Sequence, residues 1–381
     1  MDRRTVITGF ALSPIVAITA PTLSGSALAA PLPPAARSRR SRPVRPRPLV
    51  IGHRGAAGYR PEHTLASYEL AARLGADFME PDVVITKDGV LVCRHEPEIG
   101  GTTNVADHPE FADRRTTKQL DGVATTGWFA EDFTLAELRT LRAVERLPAV
   151  RQENTMYDGR FPIPTLQEAL NLRKDLSQQL GREIGVYPET KHPTYFQKAG
   201  LPLEARLLAI LRRNGLNRPD APVYVQSFEI TNLQQLRALG LRTPVVQLLS
   251  ATGAPYDLVV AGDSRTYADL ITPAGLRTIA GYSNGIGPDK SLVIPRHSDG
   301  SLGDPTPLVD DSHAADLVVH PFTFRAENTF LPADLRRGSV ASDFGKAFDE
   351  QVAFLKAGID GMFTDQADIT VIARADAAVA A

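Results

Sequence analysis

The chain has 381 residues, 43% hydrophobic and 23% charged, an ordinary globular composition long enough for a large core, whether in one or two domains or a single barrel. Of its 42 basic and 44 acidic residues, the first 48 positions hold eight Arg and one acid. What remains is 34 Lys and Arg against 43 Asp and Glu, an acidic folded part that excludes a general nucleic-acid binder with a basic face.

At the N-terminus, Arg3-Arg4 lead a weakly apolar stretch with Thr8, Gly9, Ser13 and Pro14 that closes on Ala27-Leu28-Ala29. This reads as a twin-arginine export signal, residues 1–29, cleaved after Ala29, which makes the mature protein a secreted one. Residues 30–48 are almost wholly Pro, Ala, Arg and Ser and read as a disordered linker. Cys93 is the only cysteine, so no intrachain disulfide forms, and no other apolar run approaches the length of a membrane span.

From Leu49 onward, β-branched runs ending in polar residues alternate with helical patterns. The predicted strands are Leu49–His53, Phe78–Val84, Gly185–Glu189, Val223–Ser227, Val245–Leu249, Gly285–Pro288, Leu317–Pro321 and Gly361–Thr364. Helices are predicted near 64–75, 165–180, 203–214, 229–239, 265–280, 305–315, 346–357 and 366–377. Eight such units over residues 49–381 predict an α/β fold, a (β/α)8 TIM barrel, with its chemistry at the strand C-terminal ends. A doubly wound sheet is disfavoured because no dinucleotide-type glycine turn follows the first strand.

The second unit departs from the pattern. Lys87-Asp88-Gly89 followed by Val90–His95 reads as a hairpin, with a turn at Asp88-Gly89 that sets Asp82 opposite His95. Residues 97–160, with few strand-like runs, read as an insertion after that hairpin, capping the barrel mouth and carrying a helix at Leu135–Leu141.

Polar residues collect at the predicted strand ends. His53 and Arg54 end the first, supplying a proton carrier near neutral pH and a bidentate phosphate ligand, or else a plain surface pair at a turn. Glu80 and Asp82 share one face of the second, and Glu189 with Lys191 closes the third. Two acids there could simply pair with Arg54 and Lys191. Three at adjacent strand ends repel one another and favour a divalent cation held through oxygen. His95, returned by the hairpin, gives the second member of an acid–base pair. The set suits phosphodiester hydrolysis better than aldol or elimination chemistry at Lys191.

The ordered set His53-Arg54-Gly55, Pro61-Glu62-His63-Thr64, Glu80-x-Asp82, His95, Tyr187–Lys191, Val225-Gln226-Ser227-Phe228, Gly285–Asp289, Val319–Arg325 and Gly361–Asp365 resembles the glycerophosphodiester phosphodiesterases, in their larger exported bacterial form. The resemblance implies His53 and His95 as the catalytic pair, and Glu80, Asp82 and Glu189 as ligands of one cation, Ca²⁺ ahead of Mg²⁺. It also implies Arg54 and Lys191 on the phosphate, and release of sn-glycerol 3-phosphate and an alcohol from small diesters such as glycerophosphocholine or glycerophosphoethanolamine. Cell-wall teichoic acid is a further substrate to weigh, and attack by the substrate's own hydroxyl or by water are both open. Many relatives have Asn at the place of His63 and Asp at that of Glu96; His63 is expected either to approach the metal or substrate or, as the favoured reading, to cap or orient the turn before the first helix, with Thr64 as N-cap. Gln226, Phe228, His320, Phe322 and Phe363 are expected at the mouth, as packing or as substrate contacts. The alternatives are a phospholipase D-like headgroup hydrolase, which would need an apolar rim or amphipathic helix, and a secreted phosphate- or metal-binding protein without turnover, which would need no histidine pair.

Overall fold

In a computed structural model of the chain, residues 47–379 are described. The predicted export signal and nearly all of the predicted linker lie outside them. Arg47 and Pro48, the linker's last two residues, already touch the fold: Arg47 bonds Asp77 and the Pro48 carbonyl accepts from Arg374.

The predicted eight-stranded parallel barrel is present among the described residues. Leu49–Gly52 pairs with Gly361–Thr364 on one side and Phe78–Met79 on the other. The order continues through the third unit to Val225–Ser227, Val245–Leu249, Gly285–Pro288 and Val318–Val319. Backbone bonds from Asp360 to Val319 and from Phe363 to Pro321 close the ring between the seventh and eighth strands. Closure leaves the parallel barrel strands, among the described residues, no open edge to pair with another chain.

The second and third strands are each broken by a proline. Phe78–Met79 and Asp82–Ile85 flank Pro81, and Gly185–Val186 and Glu189–Thr190 flank Pro188. Proline has no N–H to give the ladder, yet the two strands stay joined because Tyr187 donates to Met79, Glu189 to Pro81 and Lys191 to Val83. The resulting register sets Asp82 beside Glu189 and Glu189 beside Gln226, so three polar side chains of neighbouring strands stand level.

The hairpin forms, but one residue out of the predicted register. Gly89, at φ 82°, makes a three-residue loop in which Gly89 donates to Thr86 and Thr86 to Val90. Val83 therefore faces Cys93, and Arg94 donates to Asp82; His95 lies one residue beyond, where the chain turns toward the barrel mouth.

Inside the barrel an aromatic layer seals the space beneath the strand ends. Tyr187 stacks on Tyr224 with centroids 5.0 Å apart, and Phe363 and Phe78 meet these rings edge-on or tilted. Outside, Val83, Leu166, Leu207 and Leu233 belong to one large apolar cluster, and Ile286, Val319 and Phe354 to another.

The helices fall where their start signals predict. Thr64 caps Leu65–Arg73 through the Ser67 N–H, and Thr165 forms a capping box with Glu168 at the head of Leu166–Gln179. The span predicted as one helix at 265–280 is two, Tyr267–Leu270 and Pro273–Ile279, because Pro273 starts afresh behind the Thr272 cap. Within 97–160 the helix is shorter than predicted, Leu135–Leu138, and an antiparallel hairpin, Thr116–Leu120 with Val123–Gly127, was not foreseen. Its turn, Asp121-Gly122, has both residues at positive φ, the two-residue type that Asp-Gly favours.

Candidate active site

The first strand ends in a turn held in an unusual conformation. Arg54 and His63 both adopt positive φ, 54° and 53°, at a cost of about 1–3 kcal/mol each. Surrounding bonds fix them: the Arg54 N–H donates to Glu80 at 2.6 Å, and the Arg54 carbonyl accepts from the His63 N–H at 3.0 Å and the Ser67 hydroxyl at 3.1 Å. The Arg54 guanidinium thereby swings to Glu62, 2.9 Å away, with its Nε 3.8 Å from Asp82.

Glu80, Asp82 and Glu189 are all buried, and one oxygen of each lies within 4.8 Å of the others. The remaining oxygens are largely spoken for. Glu80 accepts from the Arg54 N–H and from Gln226 at 3.0 Å, Asp82 Oδ2 bonds His63 Nε2 at 2.9 Å, and Glu189 pairs with Lys191 at 2.7 Å. Asp82 Oδ1 is buried without a hydrogen-bond partner. Burial, together with Asp82 and Glu189, pushes the Glu80 carboxyl well above its usual range. Burial and then Asp82 push Glu189 up to about 8 against the pull of Lys191. Burial opposes charge on Asp82 too, but Lys191 and His63 hold it well below the usual range. Three carboxylates that cannot all ionise side by side, one with an oxygen left over, are a donor set that fits a hard divalent cation.

The two histidines are built alike. His53 Nδ1 meets Asp365 Oδ1 at 2.6 Å, and His95 Nδ1 meets Glu96 Oε1. A carboxylate only accepts, so each Nδ1 carries the proton and each Nε2 presents a lone pair. Those lone pairs face cations: Arg54 Nε lies 3.3 Å from His53 Nε2, and Lys191 Nζ 3.1 Å from His95 Nε2. Burial, opposed by Asp365 and assisted by Arg54, lowers His53 to about 4. Burial, Arg54 and Lys191 lower His95 to about 3, although 26% of its side chain stays open. Both are therefore neutral bases at neutral pH, and an incoming phosphate, by offsetting Arg54 and Lys191, would ease protonation of either.

Above this cluster lies a cavity of about 430 Å³. His53, Arg54, Glu80, His95, Glu189 and Lys191 form one end. Segments following the sixth and seventh strands, including Lys290, Ile294, Phe322 and Phe330, form the other. The cavity holds both charged groups for a phosphodiester and apolar wall for its substituents.

A sequence model of the glycerophosphoryl diester phosphodiesterase family matches residues 53–369, most of the chain. The chain belongs to this family. It is 34% identical over 347 residues to the glycerophosphodiester phosphodiesterase GDPD6 of Arabidopsis thaliana, covering 88% of each protein. To a glycerophosphodiester phosphodiesterase of Haemophilus influenzae it is 28% identical, covering 85% of this chain and 88% of that one. Among solved structures, the fold is similar to a putative glycerophosphoryl diester phosphodiesterase of Silicibacter pomeroyi, with TM-score 0.60 and 21% identity over 87% of this chain and 95% of the other. It is also similar to a phosphodiesterase of Oleispira antarctica solved with the product sn-glycerol-3-phosphate, with TM-score 0.55 and 22% identity over 86% and 96%.

Of the residues predicted for this phosphodiesterase site, His53, His95, Arg54, Lys191, Glu80, Asp82 and Glu189 are brought together. Gln226, Phe228, Phe322 and Phe363 also line the cavity. His320 does not. It is fully buried one layer lower, bonded through Nδ1 to the Tyr187 hydroxyl at 3.0 Å and edge-on to Tyr187 and Tyr224. His63 holds the turn before the first helix through its N–H, which donates to the Arg54 carbonyl, and its ring spans Tyr68 and Asp82, a member of the carboxylate cluster. Residues 97–160 give the cavity wall no side chain; they reach the site from behind. Sequence reasoning gave no role to Asp365, Glu62, Arg146, Arg151 or Arg325. Asp365, Arg325 and Glu62 stand inside the Gly361–Asp365, Val319–Arg325 and Pro61–Thr64 motifs, which was signal enough; Arg146 and Arg151 belong to no such motif, and Arg151 meets Asp365 across 214 residues.

Proposed function

We propose that the protein hydrolyses glycerophosphodiesters to sn-glycerol 3-phosphate and an alcohol, using one divalent cation and the pair His53 and His95. The observation that carries this reading is the three-carboxylate cluster, with Asp82 Oδ1 unpartnered, beside two histidines that each present Nε2 and hold Nδ1 on a carboxylate. Family membership and the product named in the Oleispira antarctica complex support the same substrate class.

Glu80, Asp82 and Glu189 hold the cation, Ca²⁺ in preference to Mg²⁺ since an all-carboxylate cradle suits the larger ion. When bound it neutralises charge on a non-bridging phosphate oxygen. Arg54 and Lys191 orient the phosphate from the other side. One histidine, neutral, takes the proton of the attacking hydroxyl at Nε2; the other acts as an imidazolium, taking up a proton at Nε2 once the bound phosphate offsets Arg54 and Lys191, and gives that proton to the leaving alkoxide. Asp365 and Glu96 keep both rings in the tautomer that makes this possible.

The remaining sequence expectations complete the proposal: export by the twin-arginine route, with residues 1–29 removed and 30–48 as a linker, small soluble diesters as substrates, no nucleic-acid partner, and teichoic acid as a polymeric source of the same linkage. Among the described residues no helix is long and apolar enough to cross a membrane. The test is glycerol 3-phosphate release from glycerophosphocholine and glycerophosphoethanolamine, before chelation, after it, and with Ca²⁺ or Mg²⁺ restored. We expect turnover to vanish with chelator and return with metal, and His53→Ala to bind metal without turnover. Activity retained in chelator, or confined to intact phospholipid vesicles, overturns the reading.

A further inference from the structure

The two histidine–carboxylate pairs come from different elements, His53 with Asp365 from the ends of the first and eighth strands and His95 with Glu96 from the chain after the hairpin. Each carboxylate is gripped by an arginine, and both arginines come from one short stretch of the insertion. Arg146 bonds Glu96 through Nη1 at 3.0 Å and Nη2 at 2.5 Å, and also clasps Glu62 with two bonds of 2.7 Å. Glu62 in turn holds Arg54. Arg151 donates through Nη2 to Asp365 at 2.6 Å, through Nε to Glu327 at 2.6 Å and through Nη1 to the Ala57 carbonyl at 2.9 Å. Arg151 is 6% exposed, so its charge is committed to these partners.

Neither arginine lines the cavity, and neither touches a metal-site carboxylate. The stretch between them is itself pinned: Glu145 accepts from the Leu147 N–H at 2.8 Å and from Asn154 at 2.9 Å, and Asn154 also reaches the Ala57 carbonyl. The two guanidinium groups are thus carried on one short segment, 145–154, that is held by its own bonds and anchored to the barrel at Ala57.

We propose that Arg146 and Arg151 are positioning residues, and that the insertion is a brace locking the carboxylate partners of both histidines from a single segment. Arg146, bonded at two points to Glu96, sets the plane of that carboxylate as well as its place, whereas Arg151 fixes Asp365 through one bond to Oδ2, an oxygen that Arg325 also holds at 2.9 Å. A carboxylate fixed in that way holds the imidazole to one tautomer and one orientation, the condition for proton transfer at Nε2. This gives 97–160 a function other than covering the mouth. The inference rests on the acid–base roles proposed above for His53 and His95.

The test uses the full metal-replete protein and a soluble glycerophosphodiester, with Arg146→Gln, Arg151→Gln and, as control, Arg160→Gln, an exposed arginine of the same insertion whose side chain bonds the Met156 carbonyl. We expect kcat to fall on the order of 10- to 100-fold in the first two, the scale on which partners of site residues act. KM should stay within about threefold, because an interaction felt in the transition state and not in binding leaves it unmoved. Metal affinity and the Arg160→Gln variant should match wild type. In Arg146→Ala, guanidinium ion added to the assay at a concentration that leaves Tm unchanged should restore part of the lost kcat, a gain in rate without a gain in stability. If a Gln variant does not fold, Arg146→Lys and Arg151→Lys keep the charge without the fork and are expected to show the same fall in kcat. Variants with wild-type kcat, or a loss confined to KM, or a loss that follows thermal stability without guanidinium rescue, overturn the brace. An inactive wild-type protein would instead overturn the proposed hydrolysis, so the two failures are distinct.

Discussion

Replacing Asp365 by Asn changes one atom and sets two demands against each other. Asp365 Oδ1 accepts from His53 Nδ1 at 2.6 Å, while Oδ2 accepts from Arg151 at 2.6 Å and Arg325 at 2.9 Å. Asparagine has one acceptor, so its amide NH₂ must face either the histidine or the arginines. Facing the arginines, it would set donors against two guanidinium groups in a buried place, a cost of about 3–5 kcal/mol for broken buried charge pairs. Facing His53, it costs one charge-assisted bond, about 1.5–3 kcal/mol, and is the cheaper choice. It then forces the imidazole into the other tautomer, with its proton on Nε2, opposite the Arg54 Nε–H, and no lone pair toward the cavity. Loss of the right tautomer in a carboxylate–histidine pair lowers kcat by about 10³- to 10⁴-fold, or about 4–5 kcal/mol of transition-state stabilisation. We therefore expect kcat for glycerol 3-phosphate release to fall at least about a thousandfold on that scale, with metal affinity, measured calorimetrically, unchanged. A variant within tenfold of wild type would refute the assigned tautomer and with it the role of Asp365.

Two further predictions concern stability. Gly55 sits at φ 92°, and a Cβ there would lie 2.4 Å from the Ser67 Oγ and 2.6 Å from the Ser67 carbonyl carbon. Gly55→Ala should therefore cost more than the roughly 1–3 kcal/mol of backbone strain alone, read as a lower Tm, and an unchanged Tm would contradict the packing of that turn. The second is pH dependence in metal-free protein. Burial lowers His53 from 6.5 to about 4, so between those values the unfolded chain binds a proton that the folded one refuses. His53 thus contributes stability fully above pH 6.5, and that contribution is lost as pH falls toward 4, at about 1.4 kcal/mol per pH unit. Chemical denaturation across that range should show a shallower pH slope for His53→Asn than for wild type. Equal slopes would mean that His53 protonates freely in the fold.

The linear chain determined the barrel, because eight alternations of β-branched runs and capped helices are local patterns, and Thr64 and Thr165 announce their helices within four residues. It also determined the three-carboxylate cluster, since Glu80-x-Asp82 and Glu189-x-Lys191 place their charged residues on one face by strand alternation alone, and it named both histidines. Register was beyond it. The three-residue loop at Gly89 displaces His95 by one position from the expected pairing, a choice made by backbone hydrogen bonds and not by residue type. His320 was misplaced for a related reason: a strand's sequence gives the face of a side chain but not its depth in the barrel. What only the tertiary structure decided is the layer behind the histidines, where Asp365 meets His53 across 312 residues and Arg151 meets Asp365 across 214. Those bonds form because burial leaves charged groups no water to turn to, and which partner each finds depends on how the barrel closes.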